Sequence, residues 1–308
     1  MFAFRSPLVH DSPVLCLVLL LAGAVATGCG PDAAARGEAQ APPAADTITV
    51  ELTVRIGERM SDLCARLEEQ GVSSCAALRT VAAAEAFDGH DFVPPPADRL
   101  NRFEGVFRPA NYRITLPESV QAPEQVVERT RRIVESLIQA AAGRFANPEG
   151  AGAAGGLGLR QQMILASIIE KEAVSNRDYD KVSAVFHNRL RRKMALGSCP
   201  TVEYALGYHR PFLLFKDLEL DSPYNVYKRP GLPPTPIAFF SDGALAAARA
   251  PADADLLFFV YDWTTGNLSF AADYSDHKRF AARARKNFKR EFGKAMMYRK
   301  FPGKFYEM

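Results

Sequence analysis

Two carboxylates lie two residues apart at the end of an apolar stretch: Leu159 to Val174 reads LRQQMILASIIEKEAV and closes on Glu170-Lys171-Glu172. The apolar spacing predicts a helix. At about 100° per residue, with Ile164 at zero, Leu165 falls at about 100°, Ile168 at about 40° and Ile169 at about 140°. Glu172 falls at about 80°, in the middle of that apolar face, and Glu170 at about 240°, on the opposite side. A carboxylate set into an apolar face loses hydration, which favours its neutral form and raises its pKa. A glutamic acid so placed can act as a general acid near neutral pH. Two structural alternatives stand beside this reading: the helix ends before Glu172, or Glu172 pairs with a buried arginine such as Arg189. The five cysteines and five histidines include no CxxC and no HExxH. No metal site and no cofactor are therefore expected.

The elements around this helix fall into a two-lobed α+β arrangement. Ile48, Val50, Leu52, Val54 and Ile56 alternate as a half-buried strand does, and Gly57 ends it. Ser61 to Gln70 reads as a capped helix, and a second, Ala-rich helix starts at Ser73 or Ser74. Cys64 and Cys75 then lie in neighbouring helices, either as a disulfide or as two buried thiols. Phe103 to Ile114 reads as extended, with Pro109 confining any strand to an edge. Residues 48–115 thus form a small β-α-α-β lobe. A helical connector and a Gly/Ala hinge follow over 116–158. Residues 159–308 form the second, mixed α/β lobe. It contains a helix over Lys181–Arg192 and Pro-rich tracts at Ser222-Pro223-Tyr224-Asn225 and Gly231–Ile237. A short helix over Ala244–Arg249, a buried strand over Leu256–Tyr261 with Leu268–Ala271 as its partner, and a helix starting near Ser275 complete it.

The N-terminus is of another kind. Val14 to Ala26 is an apolar run of thirteen residues, short of the roughly 20 that span a bilayer but suited to a signal peptide. It ends in Ala26-Thr27-Gly28-Cys29, which resembles a bacterial lipoprotein cleavage site with Cys29 as the lipidated residue. An uncleaved signal anchor is the other reading. Residues 1–28 are assigned to the signal and 29–47, Ala/Pro-rich and without apolar period, to a flexible tether.

Composition excludes disorder, collagen and a polytopic membrane protein: 48% of residues are apolar and 24% charged. The net charge of 38 − 35 = +3 gives no case for nucleic acid. Ser275 to Lys300 carries ten Lys/Arg and two acids, a local +8. Phe288 and Phe292 within it are spaced as a packing stripe.

Five segments in order then carry a resemblance: Ile164 to Glu172, Lys181 to Leu190, Pro200-Thr201-Val202, Ser222 to Tyr227, and Gly231-Leu232-Pro233-Pro234 with Pro236-Ile237-Ala238. Together they resemble the YceG-like family. The first lobe is loosely similar to that family's LysM-like domain, and Phe103 to Pro109 looks like its link into the catalytic part. The resemblance implies an envelope enzyme that cuts peptidoglycan between N-acetylmuramic acid and N-acetylglucosamine, leaving 1,6-anhydro ends. It places the catalytic acid at Glu172, where the helical wheel also points. Glu170, Asn188, Thr201, Tyr224 and Asn225 are the candidates for holding sugars. The implied partners are glycan strands, the membrane through the N-terminal anchor, and cell-wall synthesis proteins. A transglycosylase uses the muramyl 6-hydroxyl as nucleophile and needs no second carboxylate. A hydrolase would need one, such as Asp221 or Glu203. Cys199 stands where the family usually carries Asp, and Leu268 where it tends to carry a Gly-Gly-His. A free buried thiol is the expectation for Cys199. These departures leave open a catalytically reduced, peptidoglycan-binding or scaffold protein.

Overall fold

The computed structural model describes residues 47–84, 87, 89–97, 99–117, 123–145, 156–210 and 213–293. Strand β1 (Thr47–Val54) pairs antiparallel with β2 (Ala110–Pro117), with Val50 opposite Ile114 and Leu52 opposite Tyr112. Alternation sets the buried side of β1, where Leu52 and Val54 are fully covered. The strand stops two residues before Ile56, which is 58% exposed. Between the two strands run α1 (Met60–Glu69) and α2 (Cys75–Ala84). Arg59, not Ser61, precedes α1, and its side chain pairs with Asp62 at 2.9 Å. The Ser74 hydroxyl caps α2 by accepting from Ala77 N–H. Cys64 and Cys75 form a disulfide between these helices, with Cα atoms 5.4 Å apart.

The segment expected to be extended from Phe103 is not a strand until Ala110. Leu100–Phe103 is a 3-10 turn, and Phe103, Val106 and Phe107 are buried. A strand would send Phe103 and Val106 to opposite faces, whereas successive turns bury both and bring Phe103 and Phe107 together, stacked at 5.6 Å. Gly105 makes this possible with φ +70; a Cβ there would lie 2.7 Å from the Cβ of Pro236. Helix α3 (Pro123–Phe145) packs on α2 and β2, so this part of the expected connector belongs with the first lobe. Of the expected hinge, residues 146–155 lie outside the described residues.

The second lobe is built around α4 (Leu159–Glu172). Every residue from Gln162 to Ile169 is buried, because α5 (Tyr179–Arg191), α6 (Cys199–Leu206) and α8 (Asp242–Arg249) pack around it. A one-turn helix, α7 (Phe215–Leu218), lies in the connection between α6 and α8. The hairpin β3 (Phe258–Asp262) and β4 (Asn267–Ala271) carries α9 (Tyr274–Phe292) on one side. Strand β3 is half-buried over most of its length rather than buried. The lobes share one continuous hydrophobic core. Phe107 stacks on Phe239 at 5.7 Å, and Gly57 and Glu58 exchange backbone hydrogen bonds with Phe239. No helix of the described residues is long and apolar enough to cross a membrane. Cys29 and the whole signal and tether lie outside those residues, apart from Thr47.

Candidate active site

Helix α4 ends at Glu172, so its last turn carries both carboxylates, and the helix does not stop short of the second. Glu172 is half-buried and its carboxyl faces the N-terminus of α6, where the Ser198 hydroxyl and the Cys199 N–H act on it. Ser198 is fully buried, with no partner at full hydrogen-bond geometry. Burial pushes the Glu172 carboxyl up to about 7. Ser198, Cys199 N–H and the more distant Arg189 oppose that rise, and the Glu203 carboxylate adds to it. Desolvation outweighs the favourable field of the α6 N-terminus. Arg189 is not the partner of Glu172: its guanidinium donates to the carbonyls of Leu257 at 2.8 Å and Leu196 at 2.6 Å.

Glu170 points the other way and is tied into the scaffold. Its Oε1 accepts from Tyr179 Oη–H at 2.6 Å, and its Oε2 from Ser241 N–H at 2.9 Å and the Ser241 hydroxyl at 2.6 Å. These bonds lock α4 to the start of α5 and the N-terminus of α8. Glu170, expected to hold sugar, thus has both carboxylate oxygens engaged within the fold.

Three further candidates for holding sugar make hydrogen bonds within the fold. Asn188 Nδ2 donates to the carbonyls of Ala254 and Leu256 at 2.9 and 2.7 Å, and its Oδ1 accepts from Arg191. Thr201 is fully buried and donates to Ser198 O at 2.7 Å. Asn225 donates to Leu218 O and Leu220 O and accepts from Tyr227 N–H. Tyr224 is half-buried, with its hydroxyl 2.7 Å from that of Thr235 and accepting from Asn101.

A cavity of about 150 Å³ opens between the lobes' facing edges, beside the Glu172 turn. Arg59, Asp62, Lys171, Glu203, Tyr204 and Tyr208 are among the residues lining it. Lys171, between the two carboxylates in sequence, reaches Gly57 O at 3.3 Å. Glu203 accepts from Arg210 N–H at 3.2 Å and lies 3.0 Å from His209 Nδ1. Asp221 is far from enclosed: its side chain is 86% exposed and paired with Arg229. Asp221 is thus a surface carboxylate, whereas Glu203 lines the cavity and its charge reaches Glu172.

One carboxyl of the site is absent from the sequence-based candidates. Glu104, in the middle of Phe103 to Phe107, is 2% exposed. Its Oε1 accepts from Met60 N–H at 2.9 Å and its Oε2 from the Tyr204 hydroxyl at 3.0 Å. Burial pushes it up to about 8 against these bonds. An acid flanked by Phe, Gly, Val and Phe was the available signal.

Cys199 is exposed, not buried, though its Sγ lies 3.1 Å from the Tyr227 hydroxyl. Crowding by protein around the sulfur, and then the fields of Glu172 and Glu203, push the thiol up to about 11, so it is no thiolate nucleophile. Leu268 lies in β4, paired opposite Tyr261 and packed against the core.

A model of the YceG-like family matches residues 36–283. The endolytic murein transglycosylase of Bacillus subtilis (strain 168) is 33% identical over 176 residues, 57% of this chain and 46% of that one. The endolytic murein transglycosylase of Streptococcus pneumoniae serotype 2 (strain D39 / NCTC 7466) is 36% identical over 131 residues, 41% of this chain and 24% of that one. The chain thus spans less than half the length of these relatives. The crystal structure of a yceG-like protein from Listeria monocytogenes superposes with a TM-score of 0.63 at 27% identity, covering 75% of each chain. The family match covers the inward glutamate at the end of α4, the α6 turn that faces it and the link through Glu104, and on that extent of agreement the chain belongs to the YceG-like family.

Proposed function

We propose that this protein is a lytic transglycosylase of the cell envelope, cutting inside peptidoglycan strands at the N-acetylmuramic acid to N-acetylglucosamine bond. The observation that carries this reading is Glu172, a half-buried carboxyl raised to about 7 at the end of α4, with Lys171 before it and the nearby Glu203 lining a polar cavity. At neutral pH a large share of it is protonated, so it can give its proton to the glycosidic oxygen as the bond from C1 breaks. The carboxylate so formed takes the proton of the muramyl 6-hydroxyl as O6 bonds to C1. The glutamic acid is restored, no water is consumed, and the ends are a 1,6-anhydro sugar and a free hydroxyl. Attack within one sugar makes orientation the main task of the site. Arg59, Asp62, Tyr204 and Tyr208 supply donors and acceptors suited to sugar hydroxyls and N-acetyl groups, with Tyr224 behind Tyr204 at a ring distance of 4.8 Å.

Anchoring through a lipidated Cys29 and docking to cell-wall synthesis proteins belong to the same proposal and rest on the sequence of the N-terminus and on the family. The second reading, a glycan-binding scaffold, is favoured by Cys199 in the place of an expected Asp. Mass spectrometry of purified glycan strands after incubation separates them. Ends lighter by one water than hydrolysis products support the transglycosylase. Reducing ends alone would make it a hydrolase, and bound but uncut strands would make it a scaffold.

A further inference from the structure

On the Glu170 side of α4 there is a second cavity, of about 360 Å³, between α3, α8 and the link that follows Phe107. Three guanidiniums line it: Arg108, Arg144 and Arg249. Among the described residues lining it, Asp242 is the one carboxylate. Arg108 Nη2 meets Asp242 Oδ2 at 2.7 Å, and Arg144 Nε lies 3.0 Å from Asp242 Oδ1. One negative charge thus faces three positive ones.

The arginines are also incompletely bonded. The Arg144 side chain is only 4% exposed. Its Nη2 donates to Phe240 O at 3.0 Å and its guanidinium lies over the Phe240 ring at 4.6 Å, while buried Nη1 has no acceptor. Arg249 donates through Nε to Gln162 Oε1 at 3.1 Å, and its buried Nη2 likewise has no acceptor. Burial and the neighbouring Arg108 and Arg249 push Arg144 down to about 10, which leaves it charged at neutral pH. Buried guanidinium N–H groups without acceptors are costly, and like charges held together add to that cost. Leu245 and Ala140 form apolar parts of the wall, so a ligand here would be partly desolvated and held by charge-assisted bonds.

We propose that this cavity is a binding site for an oxyanion, a carboxylate or phosphate group, received by the free N–H groups of Arg144 and Arg249 with Arg108 at the rim. It is separate from the Glu172 cavity, with which it shares no lining residue. The two are connected through one short path. Asp242 follows Ser241, which binds Glu170 two residues before Glu172. The site does not depend on the transglycosylase reading. If that reading holds, the carboxylates of the peptide stems on peptidoglycan are its natural source, whereas a phosphate-only preference would point to headgroups or free phosphate.

Isothermal titration of the full chain tests this without turnover, using inorganic phosphate and glutarate as probes at matched ionic strength with chloride as control. Saturable binding of either probe, weakened about tenfold or more in Arg249→Gln and also weakened in Arg108→Gln, is the expected result. Both variants leave Arg144 and the core stacking in place, and circular dichroism checks their fold. Glutarate binding without phosphate assigns the carboxylate source, and the reverse assigns phosphate. Heat no greater than chloride's, or equal affinity in the two variants and the wild type, overturns the proposal. Loss of strand cleavage bears only on Glu172, and loss of probe binding only on this cavity.

Discussion

The two sides of the last turn of α4 carry the same functional group in opposite conditions. On one side Glu170 has three strong donors, from Tyr179 and Ser241, and serves as a joint between helices. On the other, Glu172 is half-buried and faces a serine hydroxyl and a backbone N–H that do not offset its desolvation, and it rises to about 7. Two residues of sequence and about 160° of helix separate a fully bonded carboxylate from a carboxyl raised to about 7. Burial of a carboxyl does not by itself make it reactive; what matters is how far donors compensate for the lost water.

The sharpest way to break this comparison is to exchange the roles by mutation. Glu172→Gln should lower strand cleavage by about a thousandfold, in the range expected for loss of a general acid, with an unchanged melting temperature at pH 6. Wild-type rate should fall as pH rises through about 7, where Glu172 gives up its proton. Glu170→Gln should instead retain most activity and lose about 1–3 kcal/mol of stability in urea unfolding, since a carboxamide cannot accept all three bonds. If Glu170→Gln kills turnover while Glu172→Gln melts the fold, the assignment is reversed.

Glu104 extends the comparison to a third carboxyl. It has two donors, less than Glu170, and burial takes it to about 8. A folded-state pKa raised from its ordinary 4.5 means that this contribution to stability is full below about 4.5 and is lost as pH rises to about 8. The wild type should therefore weaken over that window. Glu104→Gln should flatten the decline, as followed by thermal melts at pH 5, 7 and 9. An unchanged slope would mean that Glu104 does not carry this proton.

Cys199→Asp offers a smaller adjustment. A carboxylate at the start of α6 places a like charge beside Glu172 and should move the alkaline limb of the rate profile to higher pH. A shift to lower pH would mean that the new Asp draws a donor toward Glu172. The smallest effect is expected on α9. Its docking runs through the buried Ala284 and through Asn287 Nδ2, which donates to Asp262 Oδ2 at 2.8 Å. Reversing the charges of Arg283, Lys286 and Lys289 should change stability by only about 0.5 kcal/mol each. Loss of salt-sensitive binding to anionic vesicles in that variant would give the basic face a docking role. Binding unaffected by salt would leave α9 a structural helix.

What can be read from the sequence is what depends on period. The alternation of β1 puts Leu52 and Val54 inward, and the spacing of α4 turns Glu172 away from Glu170, although packing on all sides buries the whole of Gln162 to Ile169 and not one face. Competition for hydrogen bonds is not legible. Asn188, Thr201 and Asn225 have the right groups for sugar, but only the fold shows which carbonyls claim them. Helix α6 is not among the expected elements, although Pro200 sits in its first turn and Gly207 ends it, an ordering that marks a short helix. The turn through Phe103 and Phe107 reads as a strand because aromatic residues favour strands locally, while the tertiary contact with Phe239 decides otherwise.

The backbone exchange between Gly57, Glu58 and Phe239 has a thermodynamic side. With Phe107 stacked on Phe239 and Lys171 bound to Gly57 O, neither lobe can be uncovered without exposing the apolar surface of the other. The described part of the chain therefore unfolds as one cooperative unit rather than as two that melt in turn. The cavity between the lobes has both its walls set by a common core, so its shape does not wait for a ligand.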